Sequence, residues 1–578
     1  MRTLRTHLAL LLASLLGFST YATANEAPAQ LVLVNGNVLT LDEESTIVEA
    51  LAVRDGVLVA VGTRTDVEPF VGPDTRVVDA GGKTVVPGLI ESHVHALRAA
   101  RGELDQAYVQ LGSIAEIQNW VEEQARKKSP GEWIQLPRAD VTRIAERRMP
   151  TRAELDRAAP KHPAVFTWQY ASRQRQVLNS AALQAAGLDK LEKVPAGVTI
   201  ERSADGEPTG VLENGAELLA PFLPRNEPSE EEKRQSLAKL LKRYASTGIT
   251  SIFERNTDPA GYRFYEKLAQ EDALPLRVTT TIGLDTDGTV AGTERAIEAL
   301  GLKPGQGSDR VRVGPLKIGV DGGVLYGTAF LRRPYGEPSF QLYGFSDPRY
   351  RGNLRISPKE IANIVKTANR LGWPMSAHVT GDAGVDVVLD AVEAAGPSIH
   401  KRRFTLIHAY FANTGAAERA ARLGVGVDTQ PAWFYKDGDA LADALGNERL
   451  QKFIGLRVWR NAGVPVTINA DHMQGIDPNL SLNPYNPFLT MHAAVTRRTE
   501  TGALFGPDQR VTREEALRMM TTQAAWFSFD ENKKGSLEVG KFGDFAILSD
   551  NPLTCAEAQL PRIHSTLTVV GGDVIHEE

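Results

Sequence analysis

The middle of the chain alternates between short apolar runs and segments whose apolar residues recur every three or four positions. Between residues 311 and 471 the runs read VRVGPLKIGV, PMSAHV, RFTLIHA, VGVDTQ and VPVTINAD. After the first run, Ser357, Pro358 and Glu360 form a capping box with proline at the first helical position. Strand and helix signals in this order predict a parallel sheet covered by helices.

Three further runs complete the pattern upstream, VVPGLIESHVH, GITSIFE and LRVTTTI. Eight strands separated by helices predict a (β/α)8 TIM-like barrel. The chain between Ala96 and Glu231 does not follow this rhythm, and we interpret it as an inserted subdomain.

Both ends of the chain are rich in β signals. Asn35-Gly36-Asn37 and Asp55-Gly56 interrupt apolar runs and predict hairpins. Near the C-terminus, FGDFAILS and LTVVGGDVI follow the same pattern, with Gly571-Gly572 as a turn. Because about 56 residues are few for a separate sandwich, we predict one composite β-sandwich built from both termini.

These signals divide the chain into five parts. We predict a signal peptide at residues 1–24, sandwich strands at 25–86 and 531–578, the barrel at 87–100 and 232–530, and the inserted subdomain at 101–231.

The first residues carry a targeting signal. Arg2 and Arg5 precede the apolar run from Leu8 to Phe18, and Ala22-Thr23-Ala24 fits the small-residue cleavage pattern. We predict cleavage after Ala24 and a periplasmic or secreted protein, with an uncleaved anchor as the alternative. No later stretch of about 18 apolar residues predicts a membrane span, so we expect the mature protein to be soluble.

Composition narrows the chemistry. With 42% hydrophobic and 24% charged residues among 578, the chain is typical of a globular enzyme, and its net charge of -6 argues against a nucleic-acid partner. Cys555 is the lone cysteine, which excludes an intramolecular disulfide and a multi-cysteine metal site. Metal ligands must therefore be histidine, carboxylate or lysine. We expect a small-molecule substrate, and assembly into a homo-oligomer is left open.

Histidines at strand ends supply such ligands. His93 and His95 are two residues apart at the end of the first predicted barrel strand, so both side chains should project to the same side. His378, His408 and Asp471 end the fifth, sixth and eighth strands, at the barrel end where catalytic groups lie. Four histidines and an aspartate suit zinc or a similar divalent ion.

Lys317 lies within the apolar run PLKIGV and should point into the barrel. Burial lowers the pKa of a lysine, and a neutral amine can add carbon dioxide to give a carbamate. We predict a carboxylated Lys317 that bridges two cations, with an ordinary ion-paired lysine as the alternative.

The chain resembles the amidohydrolase superfamily, and within it the amidohydrolase 3 (YtcJ-like) group of metal-dependent hydrolases. The resemblance covers about Leu31 to Ile575 and includes VVPGLIESHVH, LKIGVDG, HVTGDAGVDVVLDAVE and KKGSLEVGKFGDFAILSDNPLT. It implies that His93, His95 and Asp471 hold one metal ion, that His378 and His408 hold a second, and that carboxylated Lys317 bridges the two.

The chain departs from the group's pattern around these ligands. Gly381-Asp382-Ala383 replaces glycine-aspartate-arginine, Thr405-Leu406-Ile407-His408 replaces arginine-isoleucine-glutamate-histidine, and Ala470-Asp471 replaces serine-aspartate. The ligands remain, but their surroundings differ, so the resemblance does not carry a substrate over to this chain. One or two ions per chain both stay open.

The residues and the resemblance together predict a secreted hydrolase that cleaves a C–N bond of an amide, other than a peptide bond, by metal-activated water. Asp471 would accept the proton of the water and pass it to the leaving amine. The alternatives are hydrolysis of a cyclic amide or imide, deamination, and a non-catalytic periplasmic metal- or ligand-binding protein.

Several other residues are weaker candidates, and their roles stay open at this point. Glu254 ends the second strand. It could form a structural salt bridge or point into the mouth of the barrel. The aromatic residues of QPAWFYKDGD are read as a loop that could wall a substrate pocket or cap the core. The full set is Glu254, Tyr326, Arg332, Trp433, Phe434, Tyr435, His472 and His492.

Overall fold

The computed structural model of the protein describes residues 27–170, 173–191, 193–223 and 226–578. The predicted signal peptide, residues 1–24, lies outside the described residues.

The central sheet contains eight parallel strands arranged as a barrel. In chain order they are Leu89–Val94, Ile249–Thr257, Arg277–Gly283, Val311–Gly319, Met375–Val379, Thr405–His408, Gly426–Thr429 and Val466–Ile468. Each strand pairs with its neighbours in sequence order. The ends meet where Val94 bridges His472 and the His95 amide donates to the His472 carbonyl at 2.7 Å. The predicted TIM-like barrel is confirmed.

Helices follow the barrel strands and cover the sheet. Each helix packs its apolar face inward. In the helix Pro358–Arg370, the residues Ile361, Ile364, Val365 and Ala368 are all buried. The predicted capping box begins this helix, with the Ser357 amide 2.8 Å from Glu360 Oε2. The helices around the barrel are Glu230–Ala245, Pro259–Gln270, Val290–Ala299, Ser339–Tyr343, Pro358–Arg370, Asp382–Ala394, Thr414–Arg422, Pro431–Leu445, Asn447–Leu450, Leu456–Asn461, Pro487–Thr496, Arg513–Met519 and Thr522–Phe527.

Both ends of the described chain meet in a β-sandwich, as predicted. One sheet has the order Val57–Gly62, Ala50–Arg54, Leu31–Val34 and Arg76–Asp79. The other has the order Asp573–Glu577, Ser565–Val570, Phe545–Leu548, Thr84–Pro87, Asn37–Leu39 and Ile47–Val48. Apolar residues of both sheets, among them Leu33, Leu51, Phe545 and Val569, form one buried cluster between them. A short helix, Arg64–Val67, follows the strand Val57–Gly62.

Two predicted hairpins of the sandwich are confirmed and one is wrong. Asp55-Gly56 joins two antiparallel strands, and so does Gly571-Gly572. Asn35-Gly36 does not join a pair: Leu31–Val34 belongs to the four-stranded sheet, whereas Asn37–Leu39 belongs to the six-stranded sheet. The turn at Asn35, with a φ of 55°, therefore sends the chain from one sheet to the other.

The segment between the first two barrel strands forms a separate five-stranded sheet. Its order is Thr199–Arg202, Pro208–Glu213, Arg173–Leu178, Ala164–Tyr170 and Ile134–Gln135. The helices of this segment are Ala96–Asp105, Ile114–Lys127, Arg152–Ala158, Ser180–Ala185 and Ala216–Leu219. Arg143 ties it to the barrel through an ion pair of 2.8 Å with buried Asp437. Across the part of the chain that the structure describes, no helix combines the length and the apolar character needed to cross a membrane.

Candidate metal centre

Two histidines and an aspartate converge at the carboxyl end of the first barrel strand. His93 is the fifth residue of that strand and fully buried, and His95 follows it as the N-cap of the next helix. Because side chains alternate along a strand, the two imidazoles lie on the same side. His93 Nε2 and His95 Nε2 each lie 3.3 Å from Asp471 Oδ1. The possible ligand atoms of the three residues lie within 4.8 Å of one another.

The electrostatics of this group fit a cation. Burial, followed by the charge of Lys317, holds the pKa of His93 well below its usual value, so the ring is neutral and offers a lone pair. Burial also lowers the pKa of His95. Asp471 Oδ1 is buried and accepts no well-formed hydrogen bond from the described residues, and its contact with His95 opposes the lowering of that ring's pKa. An unsatisfied buried acceptor is costly, and three convergent acceptors suit a divalent ion.

The position of Asp471 differs from the prediction that it ends the eighth strand. That strand stops at Ile468, and Asp471 follows in the left-handed region with a φ of 52°. Three contacts hold the turn: the Asp471 amide lies 3.2 Å from Asn469 Oδ1, the Ala470 amide donates to Glu91 Oε1 at 2.7 Å, and Trp433 Nε1 donates to the Ala470 carbonyl at 3.0 Å. The turn thereby aims the carboxylate at the histidines of the first strand.

His378 and His408 lie beside each other on the fifth and sixth strands, with ring centroids 4.5 Å apart. His378 Nε2 lies 3.2 Å from the Gly322 carbonyl, and His408 Nδ1 lies 2.7 Å from Gln430 Oε1. Both of these oxygens only accept hydrogen bonds, so each ring carries its proton on that side. The ring nitrogens opposite these contacts are Nδ1 of His378 and Nε2 of His408.

Lys317 lies between the two histidine pairs. It is buried on the fourth strand, and its Nζ lies 3.3 Å from His93 Nε2. Burial lowers the pKa of Lys317 to about 8, although Asp471 and other acids act in the opposite direction. The amine is therefore much easier to deprotonate than an exposed lysine.

A buried polar network lies beneath His93 and is centred on Asp428 of the seventh strand. His93 Nδ1 lies 3.5 Å from Asp428 Oδ1. Arg255 donates to Asp428 Oδ2 at 2.7 Å, and Asn469 and Gln430 reach Oδ1 at 2.6 and 3.0 Å. Burial raises the pKa of Asp428 to about 6, whereas Arg255 opposes this shift. Such outer partners orient ligand rings and tune a metal site.

A cavity of about 810 Å³ opens above these residues. This volume suits a small organic molecule. Its wall includes all six predicted ligands, with Lys317 among them, together with residues from the inserted segment and from the connections between strands and helices. The polar residues of the wall are His93, His95, Arg98, Arg138, Gln174, Asn256, Thr257, Asp258, Asp285, Lys317, Arg355, His378, His408 and Asp471.

The weaker candidates from the sequence lie elsewhere. Glu254 forms no salt bridge among the described residues; it accepts from Tyr265 Oη at 2.7 Å and from the Leu97 amide at 3.2 Å, and burial raises its pKa to about 7. His472 Nδ1 lies 2.6 Å from Tyr244 Oη and its Nε2 lies 2.9 Å from the Gly475 carbonyl, so its ring is held in the core.

The aromatic candidates and Arg332 are likewise outside the cavity wall. The segment read as a loop is the helix Pro431–Leu445, which buries Trp433 and Phe434, so the loop prediction is wrong. Tyr435 packs against His492 with ring centroids 6.0 Å apart. Tyr326 donates to Asp140 Oδ1 at 2.6 Å, and Arg332 pairs with Asp386.

Sequence reasoning missed the outer partners and most of the cavity wall. Gln430 had a usable signal, because it follows the run VGVDT as His378 and His408 follow theirs. Arg138 and Arg355 lie in segments without regular periodicity. No strand-end rule could have assigned either arginine to the cavity.

A family model and two known proteins match this chain over most of its length. A sequence model described as the amidohydrolase family matches residues 76–576. An N-substituted formamide deformylase from Arthrobacter pascens is 30% identical over 554 residues, which cover 95% of this chain and 98% of that protein. The putative amidohydrolase YtcJ of Bacillus subtilis is 25% identical over 553 residues, covering 94% of this chain and 98% of that protein.

Solved structures share the fold. An uncharacterized metal-dependent hydrolase from Pyrococcus horikoshii covers 91% of this chain and 99% of its own, with a TM-score of 0.66 and 22% identity. A corresponding protein from Pyrococcus furiosus covers 91% of this chain and 100% of its own, with a TM-score of 0.64 and 22% identity.

Proposed function

The chain belongs to the amidohydrolase family, and we propose that it is a metal-dependent hydrolase that cleaves the C–N bond of an amide. One observation carries the proposal: two neutral imidazoles and the unpartnered oxygen Asp471 Oδ1 converge at 3.3 Å on the floor of a cavity of about 810 Å³. The 30% identity to an N-substituted formamide deformylase over nearly the whole of both proteins supports an amide substrate.

The residues present fit a divalent cation, and we propose zinc. His93, His95 and Asp471 would hold one ion, and His378 and His408 a second. A divalent cation polarises an amide carbonyl and lowers the pKa of water. Asp471 then has the remaining task of proton transfer. As a buried carboxylate on the cavity wall, it can accept a proton from water and deliver it to the leaving amine.

We also propose that Lys317 is carboxylated. Its neutral amine would add carbon dioxide and release one proton, and the resulting carbamate would offer one oxygen to each ion. The support is the buried position of Lys317, a pKa of about 8 and the 3.3 Å separation of its Nζ from His93 Nε2. An ammonium there would repel both cations. Loading the protein with ¹³C-bicarbonate should give a carbamate signal that Lys317→Ala lacks; its absence from metal-loaded wild-type protein would reject the modification.

The proposed activity is tested by metal analysis together with a substrate panel of N-formyl and N-acyl amides, cyclic imides and aminopurines. We expect two ions per chain and turnover of acyclic amides, and a single ion would replace the two-ion centre by a mononuclear one. His93→Ala should lose metal and activity together. His564→Ala should retain both, because His564 is a half-exposed histidine near the C-terminus that is not among the proposed ligands. Turnover of imides or aminopurines alone would replace the proposed substrate class, and metal binding without any turnover would favour a binding protein.

Export is a further part of the proposal, since residues 1–24 carry the sequence features of a signal peptide. The mature protein should begin at Asn25 and occur in the periplasm or the medium. N-terminal sequencing of protein from cell fractions checks this, and a mature chain that starts at Met1 would contradict it.

A further inference from the structure

Three arginines line the cavity, Arg98, Arg138 and Arg355, and among the described residues the guanidinium of Arg355 has no partner. Arg138, from the inserted segment, donates to Tyr326 Oη at 2.6 Å and lies 3.8 Å from Asp140 Oδ1. Arg355 lies in the connection between the fourth barrel strand and the helix Pro358–Arg370. Within the described part of the chain, its guanidinium takes part in no hydrogen bond or ion pair. The described residues therefore leave a positive, solvent-exposed charge on the cavity wall without a protein anion.

Other arginines of the same connection differ from Arg355 in this respect. Arg332 pairs with Asp386, Arg333 with Glu448 and Arg349 with Asp347, and Arg351 donates to the Arg332 carbonyl. Asp285 also lines the cavity, but no ion pair or hydrogen bond links it to Arg355 among the described residues. The other four arginines of this connection thus have a carboxylate or carbonyl partner, whereas Arg355 can bind an anion that enters the cavity.

The backbone fixes Arg355 against the end of the fourth strand. Its amide donates to the Val320 carbonyl at 2.8 Å, and the preceding residue, Leu354, forms an antiparallel bridge with Asp321. The guanidinium lies on Gly319, where an added Cβ would stand 2.5 Å from Arg355 Nη1. A glycine at this point therefore makes room for the charged group on the cavity wall.

This placement sets the distance to the metal centre. Gly319 is two residues beyond Lys317 on the same strand, so both positions face the same side and lie about 6–7 Å apart along the strand. The charge of Arg355 is also close enough to contribute, after burial and Lys317, to the low pKa of His378. A substrate whose amide lies at the metal ligands could therefore place an anionic group on Arg355 if only a few covalent bonds separate that group from the amide.

We propose that Arg355 binds a carboxylate of the substrate, which makes the preferred substrates amides with a carboxylate close to the scissile bond, such as N-acyl amino acids. This inference rests on the proposed amide hydrolysis and assigns its substrate class. The planar guanidinium can donate two parallel hydrogen bonds to a carboxylate, which gives both affinity and orientation.

A matched pair of substrates tests this role. N-formylphenylalanine, supplied as both enantiomers, and N-formyl-2-phenylethylamine differ only by the carboxylate. Wild-type enzyme should have the higher kcat/KM for the acid. Arg355→Met should lower the ratio of kcat/KM for acid over neutral amide by about 10- to 100-fold, as expected for loss of a charge-assisted hydrogen bond, mainly through KM. Arg349→Met removes an exposed arginine of the same connection and should leave the ratio unchanged. Metal content and thermal unfolding of each variant verify that it is folded and loaded.

The outcomes separate this inference from the proposed function. Equal kcat/KM for the two substrates in wild-type enzyme, or an unchanged ratio in Arg355→Met, would leave amide hydrolysis standing and reject the carboxylate role. If neither these substrates nor the wider panel is hydrolysed, the proposed function is wrong, and calorimetric binding of N-formylphenylalanine decides the role of Arg355. Binding that is lost in Arg355→Met and kept in Arg349→Met would support it; absent or equal binding would reject it.

Discussion

The two halves of the candidate metal centre are built differently. The first subsite consists of His93, His95 and Asp471. Its histidines lie at the end of the first barrel strand, and its carboxylate lies in the turn after the last one. The second subsite, His378 and His408, lies on adjacent strands. Asp321 Oδ1 lies 3.9 Å from His378 Nε2, the same ring nitrogen that faces the Gly322 carbonyl.

This difference determines how each subsite compensates a divalent charge. The first subsite offers two neutral imidazoles and an anionic oxygen, so it can bind an ion without any modification of the protein. The second offers two neutral rings, and in the proposed centre its anionic ligand would be the carbamate of Lys317. We therefore expect the first ion to depend on folding alone and the second to depend also on the chemistry of Lys317.

The largest effect is expected for Asp471→Asn. The amide keeps the size of the side chain but cannot accept the proton, so kcat should fall by about 10² to 10⁴, whereas metal content should fall much less. Kinetics and elemental analysis of the same preparation measure both quantities. Asp508→Asn, at an exposed position, is the control. Near-native turnover in Asp471→Asn would show that another group transfers the proton. The first subsite would then not supply the general base.

Lys317→Ala should separate the two subsites most directly. We expect wild-type protein to hold two ions and the variant to keep one, with a loss of activity on the order of 10², as for removal of one preorganised electrostatic group. Short carboxylic acids should partly restore the second ion. Exposed Lys359→Ala should keep both ions. Two ions in Lys317→Ala would show that the second subsite needs no anionic ligand from this lysine.

The sequence predicted the barrel because strand and helix periodicities are local properties of the chain. It predicted the Asp55-Gly56 hairpin for the same reason, and that turn does join two paired strands. The Asn35-Gly36 prediction failed because a turn signal specifies a reversal but not which sheet each strand joins. That choice depends on apolar packing between residues far apart in the chain, such as Leu33 and Phe545, which belong to one buried cluster of the sandwich core.

The candidate site divides in a similar way. His93, His95, His378 and His408 were identifiable because each polar residue interrupts or ends an apolar run. Asp428, Asn469 and Arg255 also lie in or beside strands, but a single buried polar residue has no pattern that separates it from an ordinary core residue. Their contacts emerge only when the second, seventh and eighth strands are brought together.

Gln430→Leu should weaken the second subsite selectively. Gln430 holds the proton of His408 on Nδ1 and so leaves Nε2 for metal. Loss of such an outer partner costs about 10- to 100-fold in metal affinity, and competition with a chelator measures that loss for each ion. Gln235→Leu, on the exposed face of a helix, is the control. Equal weakening of both ions would mean that Gln430 acts through the Asp428 network rather than through His408.

Trp433→Phe should have the smallest effect on activity of these substitutions, and that effect should arise at the first subsite. Trp433 donates to the Ala470 carbonyl, and this contact holds the turn that presents Asp471. Phenylalanine fills most of the same space but leaves a buried carbonyl without its donor, a cost of about 1–3 kcal/mol in the free energy of unfolding. The Ala470 and Asp471 amides retain their bonds to Glu91 and Asn469, so Asp471 stays close to its position. We therefore expect a lower thermal midpoint and a fall in kcat of less than tenfold, whereas Trp120→Phe, in the inserted segment, should leave kcat unchanged. If Trp433→Phe weakened the second ion more than the first, the two subsites would share one support and their independence would be disproved.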